Sequence, residues 1–329
     1  MHWQRYLQDP ALSAFVPVEQ GAARMLLRRG LEPSAPALGL AGDPPSAHRV
    51  HGGRATHPVV CLPDASRAVV RRYHRGGAIR HVNRWTYFLG HRAFHELLAT
   101  ERARKAGVRA PEVLAATEAT GGVGYTAWLA TRMIDGAVES AAWLASAAVD
   151  ERLGMLREAG RQVGRMHAAG IAHPDLNLRN LLVVDGSTAE GRSTEVRSVD
   201  ARSPADRASE GRSASGSTEG RSTEIGSDRP SAVGIAELHP SNDTPSKPDA
   251  SADSADDGCA PLVYLIDFDG ARLFDTGVPE RRRGSDLRRL ARSARKLGAA
   301  IGAEGWAAMR DGYGVGDWPL SEDETRGLG

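Results

Sequence analysis

Apolar positions change their spacing in a consistent order along the chain. Val59-Val-Cys-Leu62 and Ala68-Val-Val-Arg-Arg-Tyr73 are apolar runs of strand length. After Gly90 the period becomes helical, with Phe94, Leu97, Leu98 and Glu101 at i, i+3, i+4 and i+7, and the helix should stop near Gly107 and Pro111. Residues 113–116 and 125–134 read as strands around a turn at Gly121-Gly122, and Asp135-Gly136 ends the second. From Ala141 to His167 the spacing of Leu153, Leu156, Val163 and Met166 predicts helices closed by Gly170. Short strands follow at 181–184 and 262–268. A helix over 285–297 carries Leu287, Leu290, Ala294 and Leu297 on one stripe, and a last helix is expected around Trp306, Met309 and Tyr313. Strands come first and helices later, which predicts an α+β chain with a small β-rich part at 51–134 and a larger, mainly helical part at 135–329.

Two stretches stand outside this pattern. Residues 1–50 are broken by Pro33, Pro36, Pro44 and Pro45 and read as a weakly ordered extension with one short helix near 22–29. Residues 186–260 shift to Ser, Thr, Asp, Glu, Arg, Gly and Pro, with the echo Gly191-Arg-Ser-Thr-Glu195 and Gly220-Arg-Ser-Thr-Glu224. So few apolar residues cannot offset the ordering entropy, and a disordered low-complexity insertion is expected. It separates two strands that should be hairpin partners, which loop-closure entropy tolerates because it grows only logarithmically with length.

The chemistry concentrates at Ile171-Ala-His-Pro-Asp-Leu-Asn-Leu-Arg-Asn-Leu-Leu-Val-Val184, where His-x-Asp is followed five residues later by Asn. That spacing is the catalytic loop of a phosphotransferase, in which Asp175 would accept the proton of an attacking hydroxyl and Asn180 would hold Mg²⁺ on nucleotide phosphates. The partner such a loop requires is a short apolar strand ending in a metal-binding Asp. Leu262-Val-Tyr-Leu-Ile-Asp-Phe-Asp-Gly270 supplies it as Asp267. His173 is expected to support the loop rather than act as base, and His167 to be packed in its helix.

A phosphate-positioning cation on a rigid strand, paired to a helical Glu, completes such a site. The only lysines are Lys105, Lys247 and Lys296, so arginine must serve. Strand alternation lets one of two neighbours face the nucleotide; Arg71 is the first candidate and Arg72 the second. Glu96 is the natural partner, with Glu101 the alternative. His51-Gly-Gly-Arg-Ala-Thr56 is either a phosphate-covering hairpin or a plain turn, and residues 130–134 would run into the hinge between the two parts.

The apolar share of 41% suits a soluble globular protein, and no run reaches the ~18 residues of a membrane span. Charges among the first thirty residues argue against a signal peptide. Cys61 and Cys259 are too few for a disulfide framework or a zinc site, which points to a reducing compartment. Net charge is only +1, yet 67–84 carries Arg67, Arg71, Arg72, Arg75, Arg80 and Arg84, and 281–295 is a second basic cluster. These suit phosphate, carboxylate or anionic lipid, or else form a solvated face.

With these residues in place the chain resembles the 3-deoxy-D-manno-octulosonic acid (Kdo) kinases, within the lipopolysaccharide kinase branch of the protein-kinase-like superfamily. The resemblance rests on Arg71-Arg-Tyr-His-Arg-Gly-Gly77, Phe94-His-Glu96, Gly107-Val-Arg-Ala-Pro111, His173-Pro-Asp-Leu-Asn177 with Asn180, Ile266-Asp-Phe-Asp269 and Leu287-Arg-Arg-Leu-Ala-Arg-Ser293. It implies a bilobal protein-kinase-like α+β fold with the nucleotide in the cleft, and ATP and Mg²⁺ as cofactors. The implied reaction is phosphorylation of the 4-hydroxyl of Kdo on Kdo-lipid A in lipopolysaccharide core biosynthesis. It further implies Asp175 as catalytic aspartate, Asn180 and Asp267 as metal ligands, and Arg71 with Glu96 as the phosphate-positioning pair. A cytoplasmic enzyme peripheral to the inner membrane, with no nucleic-acid partner, is the expectation. The chain departs from the family pattern at Gly270, where a basic residue is expected, and at Asp286, where Asn is expected. Two rivals are a kinase of this fold acting on an inner-core heptose or an aminoglycoside, and a nucleotide- or lipid-binding pseudokinase suggested by the missing lysine.

Overall fold

A computed structural model of the chain describes residues 3–44, 48–52, 55–73, 91–121, 124–186, 260–299, 301–315, 318–321 and 324–325, all within one structural unit. The Arg-Gly-Gly loop at 75–78, the aromatic and basic run 81–88, Cys259 and the expected insertion between 187 and 259 lie outside the described residues.

The N-terminal part is a seven-stranded antiparallel sheet. Its strands are β1 (Phe15–Gln20), β2 (Ala23–Arg28), β3 (His48–Gly52), β4 (Ala55–Cys61), β5 (Arg67–Arg72), β6 (Val113–Thr120) and β7 (Tyr125–Arg132), in the spatial order β1-β2-β6-β7-β5-β4-β3. Helix α1 (Arg92–Lys105) covers one face, burying Phe94, Leu97 and Leu98 with Leu26, Val113 and Leu129. The other face packs Leu27, Val70, Leu114 and Trp128 under Leu38 and Leu40.

The expectation of a weakly ordered extension with a helix at 22–29 is corrected. Residues 15–28 form a β-hairpin inside the sheet, and Trp3, Tyr6 and Leu38 cover its two faces. Met25, Leu26 and Leu27 are consecutive and all fully buried because the sheet is covered on both sides, so the strand shows no alternation by which to recognise it. Pro17 lies on the edge strand β1, where no ladder hydrogen bond is required of it.

The C-terminal part contains α2 (Ser140–Ser146), α3 (Val149–Ala168), α4 (Glu280–Lys296) and α5 (Gly302–Tyr313), with the short strands β8 (Val138–Glu139), β9 (Ile171–Ala172), β10 (Leu181–Val184), β11 (Leu262–Leu265) and β12 (Arg272–Leu273). The hairpin expected across the insertion is present: β10 pairs β11 antiparallel from Leu181↔Leu265 to Val184↔Leu262. At the other end β9 pairs β12 through Ala172↔Arg272. The loop 173–180 and the loop 266–271 are therefore strung between the same two ladders, and Ile266 N donates to Asn180 O at 3.0 Å. That is how residues far apart in sequence come to face one another.

Helices α3 and α5 touch backbone to backbone. A Cβ added to Gly160 would lie 2.0 Å from Met309 O, one on Gly164 1.9 Å from Tyr313 O, and one on Gly312 1.8 Å from Arg157 O. Only glycine permits this approach, and Met155, Val163, Met166 and Trp306 fill the core beside it. Gly160→Ala and Gly164→Ala are each expected to destabilise the protein by about 1–3 kcal/mol, the cost of overpacking. Urea unfolding of the full chain measures this, and an unchanged midpoint would contradict the contact.

Candidate functional site

Strand β5 aims the first cation. Ala68 and Val70 are buried in the core on one face, so Val69 and Arg71 point to the other and line a cavity of ≈ 450 Å³. Arg71 Nη2 reaches both carboxylate oxygens of Glu96 at 2.5 Å, and its Nη1 reaches Asp267 Oδ1 at 2.5 Å. The Tyr73 hydroxyl donates to Glu96 Oε2, and Tyr73 lies under the guanidinium of Arg71, 4.9 Å from ring centroid to Cζ. Both alternatives are engaged elsewhere: Arg72 pairs with Asp43 at 2.8 Å, and Glu101 with Arg28 at 2.8 Å.

Burial pushes the Glu96 carboxyl above its ordinary range despite the pull of Arg71. Burial also acts upward on Asp267, but the Arg71 charge and hydrogen bond outweigh it and hold that carboxyl below its ordinary range. Glu96 is the more enclosed of the two, 2% against 32% exposed, and the neighbouring Asp267 charge pushes it further up.

The loop 173–180 carries the second group. The His173 ring lies tilted against Phe268, 5.2 Å between centroids, and its Nε2 lies 3.1 Å from Ile266 O, the scaffold position expected for it. Asn180 Nδ2 donates to Asp175 O at 2.9 Å and approaches Asp175 Oδ2 at 3.5 Å, while Asn177 Nδ2 also donates to Asp175 O at 2.8 Å. Asp267 takes φ +63, a left-handed conformation rare outside glycine, two residues after the end of β11. Gly270 has φ +71 in the turn before β12, which a basic side chain there would strain.

Sequence reasoning placed α4 but missed that it registers this loop. Positions 286, 289 and 293 of α4 are spaced i, i+3 and i+7 and share one face. Asp286 Oδ2 accepts from His173 N at 2.8 Å, Arg289 Nε donates to Asp175 Oδ1 at 3.0 Å, and Ser293 Oγ accepts from Leu178 N at 2.9 Å. The signal was the helical spacing, but nothing local named the loop as its partner. A second missed contact is Arg92, at the start of α1, which forks onto both oxygens of Asp269. His167 is fully buried, as expected, between the Tyr313 hydroxyl at 2.7 Å and Asp286 at 3.3 Å.

The cavity has two characters. Val69, Leu129, Met133, Ile134, Leu182, Ile266 and Phe268 give it apolar walls, and Arg71, Glu96, Asn180 and Asp267 its polar groups. Val50 and His57 of the β3–β4 hairpin also line it, as does the segment after β7 expected to be the hinge. Its size is within the range of small-molecule sites. Among the described residues there is no group of three or more His, Cys, Asp or Glu able to hold a metal by themselves. A Mg²⁺ carried on phosphates needs only one or two protein oxygens. Asp267 fits, since Arg71 occupies Oδ1 and leaves Oδ2, and so does Asn180, whose amide is fixed through Nδ2 and leaves Oδ1.

Comparison with known proteins bears on this geometry. Residues 52–200 match the lipopolysaccharide kinase (Kdo/WaaP) family. The resemblance read from the sequence is matched over that stretch, which is less than half of the chain. The chain is 31% identical over 147 residues to a 3-deoxy-D-manno-octulosonic acid kinase of Vibrio parahaemolyticus serotype O3:K6, covering 43% of this chain and 60% of that protein. It is 35% identical over 135 residues to one of Xanthomonas oryzae pv. oryzae, covering 40% of this chain and 53% of that protein. The matches thus span 60% or less of these curated relatives. Among solved structures, "WaaP in complex with acyl carrier protein" aligns over 94% of this chain and 85% of that chain at 16% identity, with a TM-score of 0.42.

Burial holds His167 below its ordinary pKa, against the opposing pull of Asp286. The folded state therefore refuses a proton that the unfolded chain accepts. The resulting stability is fully present above about pH 6.5 and is lost as pH falls through the lowered folded value. The difference in unfolding free energy between the wild type and His167→Gln is expected to shrink from pH 7.5 to pH 5.5. A constant or growing difference in urea titrations would contradict the assignment.

Proposed function

We propose that this chain is an ATP- and Mg²⁺-dependent kinase that phosphorylates the 4-hydroxyl of Kdo on Kdo-lipid A, in lipopolysaccharide core biosynthesis. The observation that carries the reading is the meeting of Arg71, Glu96 and Asp267 on the wall of a cavity that also holds Asn180, the neighbour of Asp175. Asp175 orients the acceptor hydroxyl and takes its proton as the oxygen bonds to the γ-phosphorus and the bond to the β-phosphate oxygen breaks. Arg71, held by Glu96, positions the phosphates, and its fork keeps the positive charge that the absent lysine would bring. Asn180 and Asp267 would hold the Mg²⁺, which would supply neutralisation of phosphate charge. Positioning and electrostatics supply most of the rate.

The acceptor carries a carboxylate and phosphates, and charge-assisted contacts to arginine suit both. Arg281, Arg282, Arg288, Arg292 and Arg295 form an exposed basic face on α4 that fits an anionic membrane surface, and no helix among the described residues is long and apolar enough to cross one. The enzyme would then work at the cytoplasmic face of the inner membrane without a span. Against the pseudokinase reading stand Asp175, Asn180 and Asp267, all present, and an arginine already paired to Glu96.

Transfer of labelled phosphate from ATP to a panel of Kdo-lipid A, an inner-core heptose acceptor and an aminoglycoside tests the reading. Kdo-lipid A is expected to be the preferred acceptor, and equal or better transfer to another member would overturn the assignment. Asp175→Ala and Asp267→Ala should each lower the rate by about 10²–10⁴-fold in folded protein. Full activity in either would contradict the mechanism.

A further inference from the structure

The three contacts that α4 makes with the loop 173–180 are not alike. Asp286 and Ser293 accept from backbone N–H groups, and Asp286 is 4% exposed. Those two contacts hold the loop in place. Arg289 instead meets a side chain, that of Asp175, and the two side chains are 48% and 49% exposed. Its Nε and Nη2 both approach the same oxygen, Oδ1, at 3.0 Å. The guanidinium fork is therefore not matched two-to-two, and about half of the side chain faces solvent. An ion pair this exposed contributes little to stability, so a bidentate carboxylate can replace it at little cost. Arg288 and Arg283 of α4 are engaged elsewhere, with Glu324 at 2.5 Å and with Val315 O at 2.7 Å.

An acceptor hydroxyl must sit on Asp175 for its proton to be taken. Any anionic group carried close to that hydroxyl then falls within reach of Arg289. We infer that Arg289 reads the acceptor: its guanidinium receives a carboxylate borne on the same sugar ring as the reacting hydroxyl, and the Arg289–Asp175 pair is the resting form of that acceptor site. The inference rests on the kinase reading above and deepens it by naming the residue that selects an acidic sugar. In Kdo the carboxylate-bearing carbon and the carbon of the 4-hydroxyl are separated by a single ring carbon, which suits one arginine and one aspartate on adjacent elements. A neutral sugar would leave the pair unexchanged and gain no contact, so discrimination follows without steric exclusion.

The test measures phosphate transfer by the full chain and by Arg289→Gln and Arg289→Lys. The two acceptors are a Kdo-bearing glycolipid with its carboxylate free and the same glycolipid as the methyl ester. The wild type is expected to lose about 10- to 100-fold in kcat/KM on the ester, the worth of a charge-assisted contact. Arg289→Gln should show the same loss on the free acid, carried by the acceptor KM, and little further loss on the ester, with Arg289→Lys recovering part of it. If Arg289→Gln still distinguishes acid from ester as the wild type does, the inference is wrong. It is also wrong if that variant loses kcat equally on both acceptors, since Arg289 would then only position Asp175. No transfer by the wild type to either acceptor would instead overturn the kinase reading, and this inference with it. Because Arg289 is exposed, thermal melts of the variants should match the wild type.

Discussion

Arg71 draws three separate elements together at the cleft. It leaves β5, is gripped by Glu96 of α1, and meets Asp267 after β11. Glu96 is nearly enclosed, and a carboxylate taken out of water without a partner is several kcal/mol unfavourable. Its place in the core therefore depends on the guanidinium being present, and the position of α1 depends on it too. Tyr73 and Arg92 extend the same junction, the first by its hydroxyl on Glu96 and the second by its fork on Asp269. The sheet and α1 are thus tied to the loop that carries Asp267 by two arginines and three carboxylates. The planar fork of the arginine does this by turning a separate nitrogen to each carboxylate.

The loop bearing Asp175 depends on a second chain of contacts that begins far from the cleft. Glycines let α3 and α5 approach until their backbones touch. That approach brings the Tyr313 hydroxyl onto His167, His167 onto Asp286, and Asp286 onto the backbone N–H of His173. Ser140 Oγ, from α2, adds a hydrogen bond to Leu178 O at 2.6 Å. The departure from the family pattern at Asp286 is thus a working part of the structure. Its carboxylate oxygen serves two donors, and its negative charge lies beside a histidine that burial keeps neutral.

Local patterning determined a good deal of this protein. Helical periodicity placed α1, α3, α4 and α5, alternation along β5 required that only one of Arg71 and Arg72 face the cleft, and the spacing His173, Asp175, Asn180 marked the loop. Antiparallel pairing of β10 with β11 followed from their apolar runs, whatever length of chain lies between them. Tertiary structure decided the rest. The strand β2 was invisible because burial on both faces removes the alternation that identifies a strand, and the turns before β3 that resembled a loose tail are cover for the sheet. Asp286, Arg289, Ser293 and the Arg92–Asp269 pair could not be read because each partner lies more than a hundred residues away. Sequence fixes which way a side chain points from its own element, since that depends on backbone geometry within a few residues. What it meets there is set by how elements pack, and that depends on the whole chain at once.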